Sequence, residues 1–83
     1  MTNIKTVKIN LKEIPMSQRK HIGRYCEKCL ANSGTVDDVC ILLQGYIDTH
    51  EYTAAAAWLL ARLKNDKLAE ANCRKYIHQL MYG

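Results

Sequence analysis

The chain has 83 residues, 12 Lys/Arg against 8 Asp/Glu, a net charge of +4 and 48% hydrophobic content. That length fits one domain over residues 1–83 with a modest core. The longest apolar run, Ala54–Ala61, is too short to span a bilayer, and Met1–Lys12 lacks the continuous apolar stretch of a signal peptide. The expectation is a cytoplasmic protein without membrane association, its four Cys reduced.

Charge is partitioned along the chain. Residues 1–30 hold Lys5, Lys8, Lys12, Arg19, Lys20, Arg24 and Lys28 against Glu13 and Glu27. Residues 31–61 hold no Lys or Arg and four acids, Asp37, Asp38, Asp48 and Glu51. Residues 62–83 hold Arg62, Lys64, Lys67, Arg74 and Lys75 against Asp66 and Glu70. Segregation of this kind lets a mildly basic protein present a strongly basic face to a polyanion.

In chain order, Val7, Ile9 and Leu11 alternate with Thr6, Lys8 and Asn10, which predicts a half-buried strand over about 5–11. Pro15 suits a helix entry. The first helix, about 16–32, places Ile22, Tyr25, Cys26, Cys29 and Leu30 on one apolar face and Lys20, Arg24 and Lys28 on the opposite one. Gly34 is the expected stop, and Thr35 the N-cap of a second helix over about 36–49, with Asp37 and Asp38 at its positive end.

That second helix offers Val36, Val39, Cys40, Leu43, Tyr46 and Ile47, with Ile41 and Leu42 widening the apolar arc. It is expected to be central, and Gly45 within it suggests close approach of another backbone. A third helix, about 51–64, carries Tyr52, Ala56, Leu59, Leu60 and Leu63 on one side, with Trp58 and Arg62 toward the other. A fourth, about 67–81 and capped by Asp66, turns Ala69, Cys73, Tyr76, Ile77 and Leu80 inward. The predicted fold is mainly α: one short N-terminal β-strand followed by four helices in a small compact bundle.

Three sets of residues could carry function. Cys26 and Cys29, joined by Cys73 and His78, have the residue types of a zinc site. The cysteines lie on apolar helix faces, without a second Cys pair or a glycine-rich turn, so core cysteines are expected and no metal or cofactor. Lys5, Lys8, Asn10, Lys12, Arg19, Lys20, Arg24 and Lys28 form a basic set able to neutralise phosphates. Trp58 with Arg62 one turn later forms a candidate partner-binding pair, since both types are enriched at interfaces. His21, His50 and His78 stand singly, no Ser or Asp has a nucleophile setting and no phosphate loop occurs, so no enzyme is expected.

Residues 6–47, with their strand, amphipathic helix, glycine-containing turn and second helix opening at Gly34-Thr35-Val36, resemble the ribbon-helix-helix DNA-binding family. The resemblance implies a homodimer whose paired strands enter the major groove. Val7, Ile9 and Leu11 would then face the dimer core, and Thr6, Lys8 and Asn10 the bases. The start of the second helix, near Thr35, would hold a backbone phosphate. The expected function is that of a small nucleic-acid-binding regulator, with DNA favoured over RNA. The alternative is a small adaptor or inhibitor of the accessory or anti-defence type carried by mobile elements, acting on a host protein.

Overall fold

The computed structural model describes residues 9–65 and 70–83. They form a 3₁₀ turn, Leu11–Glu13, and four helices: α1 (Met16–Ala31), α2 (Val36–Asp48), α3 (Thr53–Asn65) and α4 (Glu70–Tyr82). Each helix packs on its neighbours in chain order, and α1 closes the bundle against α4. No strand occurs among the described residues. Ile9 and Asn10 are irregular and Leu11 opens the 3₁₀ turn, so the described end of the expected strand is not strand; its residues 5–8 lie outside the described part. Asn10 closes this turn by accepting a hydrogen bond from the Lys12 N–H at 3.0 Å. Asp66 and the expected first turn of the fourth helix, 67–69, also fall outside the described residues.

The element boundaries follow from local chemistry. Pro15 sits at the N-cap of α1, where its missing N–H and fixed φ cost nothing. Thr35 caps α2 as expected. Its Oγ1 accepts from the Asp38 N–H at 3.2 Å, and the Asp38 carboxylate accepts from the Thr35 N–H at 2.8 Å. The end of α1 differs from expectation by one residue. Ser33, not Gly34, takes the left-handed conformation (φ 68°). Its N–H donates to Leu30 O, and the Gly34 N–H donates to Cys29 O at 2.8 Å, which together satisfy two end carbonyls. Glycine is needed at 34 for space, because a Cβ there would meet Cys29 O and Sγ at 2.5 and 2.6 Å. α3 begins at Thr53 rather than 51 because Tyr52 (φ 53°) is left-handed, as is His50 (φ 63°). Gln18 of α1 supplies a partner for one of the orphan donors at the start of α3, accepting from the Ala55 N–H at 3.1 Å.

The central helix is α3, not α2. Ala55, Ala56, Ala57, Trp58, Leu59, Leu60, Ala61 and Leu63 are all buried. The reason lies in the alanine run. Small side chains let α2 and α4 approach on two sides, so burial is no longer confined to one stripe. α2 buries only Val36, Val39 and Leu43, and Ile41 is 71% exposed. Gly45 is exposed, with nothing near a would-be Cβ, so no close approach requires it. A Gly45→Ala substitution should therefore raise stability by about 1 kcal/mol, read from urea unfolding, through helix propensity alone. The intimate glycine is Gly23, buried in α1, where a Cβ would collide with the Met81 side chain from α4.

Candidate nucleic-acid interface

Two neighbouring rows on α1 build the site. Lys20, Arg24 and Lys28 recur every four residues, and so do Ser17, His21 and Tyr25 beside them. Ser17, Lys20, His21, Arg24 and Tyr25 line an open cleft of about 320 Å³. Two cations, an imidazole, a hydroxyl and an aromatic ring thus share one concavity.

Two more rings join from other elements. Tyr46 on α2 and Tyr52 in the α2–α3 connection gather around His21, which stacks on Tyr52 (centroids 4.2 Å, 27° between planes) and leans on Tyr25 at 4.8 Å. Tyr46 meets His21 edge-on and shares a hydrogen bond with it, Oη to Nε2 at 3.1 Å. Burial, then the neighbouring Tyr25, pushes the Tyr46 phenol pKa up, so it stays a protonated hydrogen-bonding group. Tyr25 is 46% and Tyr52 36% exposed, which leaves ring surface open to solvent. Tyr52 reaches His21 from a left-handed backbone, a conformation that is costly for an aromatic residue and that the ring contacts help to hold.

Among the expected contact residues, Lys20 and Arg24 meet at the cleft, with Lys28 exposed further along the row. Lys12 is exposed. Lys5 and Lys8 lie outside the described residues. Asn10 is exposed, but its carbonyl oxygen is engaged in the local turn. Arg19 departs from the set: it is 7% exposed, and its Nε donates to Leu80 O at the end of α4 at 2.7 Å. It faces inward because it lies on the α1 flank that packs on α4. Thr35 has its N–H and hydroxyl turned to Asp38, so the chain's own carboxylate occupies the place expected for a phosphate.

Trp58, 4% exposed, belongs to the core cluster, with the Arg62 guanidinium 5.0 Å from its ring centroid. The pair makes an intramolecular cation–π contact, and only Arg62 is exposed. The cysteines are free, and among the described residues no three His, Cys, Asp or Glu are grouped to hold a metal ion. Cys26 and Cys73 are fully buried, while His78 is exposed and leans on Tyr82 at 4.9 Å. Burial pushes both thiols up, Cys73 to about 11 and Cys26 further.

Native protein should therefore protect Cys26 and Cys73 from a thiol reagent while half-buried Cys29 and Cys40 react faster. Since the folded pKa values exceed the unfolded value near 9, unfolded thiols ionise first. The stability contributed by the two thiols should be fully present below pH 9 and fall as pH rises toward 11, at up to about 1.4 kcal/mol per pH unit per thiol. Urea titrations at stepped pH check this, and a Cys73→Ala variant should show a shallower decline.

Sequence reasoning missed Ser17, His21, Tyr25, Tyr46 and Tyr52. The first three carried a usable signal, the same four-residue recurrence as the basic row. No family model matches the chain, and neither does any of the curated proteins or solved structures compared with it.

Proposed function

We propose that this protein is a small non-enzymatic nucleic-acid-binding regulator that uses the outer face of α1. The observation that carries the reading is the convergence of Lys20 and Arg24 on one cleft, with Lys28 continuing the row. Cations in a row neutralise successive phosphates and release counterions, which supplies affinity without any base-specific contact. Charge reversal tests it. Lys20→Glu/Arg24→Glu/Lys28→Glu should lower affinity for a fluorescent oligonucleotide about 100-fold at low salt, with the melting temperature kept within a few degrees, since Arg24 and Lys28 are exposed and half-buried Lys20 lies outside the core. Wild-type affinity in that variant overturns the reading.

A second reading, the adaptor or inhibitor that docks on a host protein, is favoured by Ile41. This large apolar side chain stands exposed on α2, which also carries the exposed acids Asp37, Asp38 and Asp48. It requires a partner that survives nuclease treatment and is lost on Ile41→Asp.

A further inference from the structure

The cluster around His21 contains more than phosphate binding needs. Phosphates are served by Lys20 and Arg24 alone, yet three tyrosines from three parts of the chain converge on one imidazole beside them. One arrives on a left-handed backbone, and two keep ring surface exposed. Aromatic rings next to cations in an open cleft match a nucleotide with its base unstacked from any neighbour: the ring takes the π-face and the cation the phosphate. A duplex cannot use such a site, because its base faces are covered.

The geometry points to a single-stranded nucleic acid as the ligand, with an unpaired base stacked on Tyr25 or Tyr52 and its flanking phosphates on Lys20 and Arg24. This rests on the proposed nucleic-acid-binding function and specifies its ligand. Tyr25 is the outermost ring on α1 and lines the cleft itself, so it is the main platform. Behind it His21 stacks on Tyr52, and Tyr46 meets Tyr25 and Tyr52 edge-on, which together hold the cluster in place. Glu51 precedes Tyr52 and its carboxylate acts on Tyr46, so the phosphates are assigned to Lys20 and Arg24 on α1 and not to the Tyr52 side.

The test measures binding of the full chain to a 12-nucleotide fluorescent single strand, DNA and RNA in parallel, against the corresponding duplex and an abasic strand of equal charge. Wild type should bind a single strand at least about tenfold tighter than duplex or abasic strand, since each base–aromatic stack is worth that order. Tyr25→Leu should lose a similar factor while keeping its melting temperature and the salt dependence of binding, and Tyr25→Trp should restore affinity. Equal or tighter binding of duplex, equal binding of the abasic strand, or undiminished affinity in Tyr25→Leu overturns the base site. If charge reversal of Lys20, Arg24 and Lys28 weakens binding while Tyr25→Leu does not, the base site alone falls. If wild type binds none of the probes, the nucleic-acid reading falls with it. A preference between DNA and RNA strands identifies which sugar the site accepts, and either one supports the single-stranded assignment.

Discussion

An Arg19→Met variant should unfold about 2 kcal/mol more easily than wild type, yet bind nucleic acid as wild type does. Arg19 belongs by sequence to the basic N-terminal set, but its Nε donates at 2.7 Å to the Leu80 carbonyl. That carbonyl lies in the last turn of α4, where no further helical N–H is available to it. A cation there also offsets the negative end of the helix. Methionine keeps the apolar stem and volume but removes the donor, leaving a shielded acceptor unpaired. For a chain of this size the expected loss lowers the melting temperature by roughly 10 °C. Thermal melting and oligonucleotide titration well below the transition separate the two roles. Unchanged stability with lost binding would return Arg19 to the interface.

Leu59→Ala should cost about 3 kcal/mol or more, against less than about 0.5 for Ile41→Ala. Both are large aliphatic residues in helices, and sequence periodicity assigns both to apolar faces. Leu59 is fully buried in the central helix and Ile41 is largely exposed. Removing Leu59 leaves a cavity in α3, where α2 and α4 both pack. Since small domains hold only about 0.05–0.15 kcal/mol of stability per residue, such a loss takes a large share of the total. Paired urea unfolding curves measure both variants. Comparable losses would mean that α2, not α3, is the inner helix.

Much of the helical architecture was legible in the sequence. Thr35, Asp38 and Pro15 mark helix starts by capping chemistry that acts locally, and Ile22, Cys26, Leu30, Cys73, Ile77 and Leu80 face the core as their spacing requires. The inner helix was not legible. α2 has the longer list of branched and large apolar residues, whereas α3 earns its place through Ala55, Ala56 and Ala57, whose smallness permits contact on two sides. Hydrophobic count rewards large residues and overlooks small ones.

The start of α3 was missed for a related reason. Nothing local at Tyr52 signals positive φ, since an aromatic residue rarely adopts it and this one is held by ring contact with α1. The basic half of the candidate site could be read directly, because Lys20, Arg24 and Lys28 share one helix row. The aromatic half joins residues 21, 25, 46 and 52, and the apolar bodies of its tyrosines pass for core positions in periodicity. Arg19 was misread for the opposite reason: its charge suggested solvent, while its partner lies 61 residues away.

The most direct test of the account is the salt dependence of single-strand binding by wild type and by Lys20→Glu/Arg24→Glu/Lys28→Glu. If the α1 row neutralises three phosphates, the logarithm of the wild-type association constant should fall against the logarithm of salt with a slope of about −2, and the variant's slope should approach zero. A flat wild-type response, or an equal slope in both proteins, would contradict the placement of nucleic acid on α1.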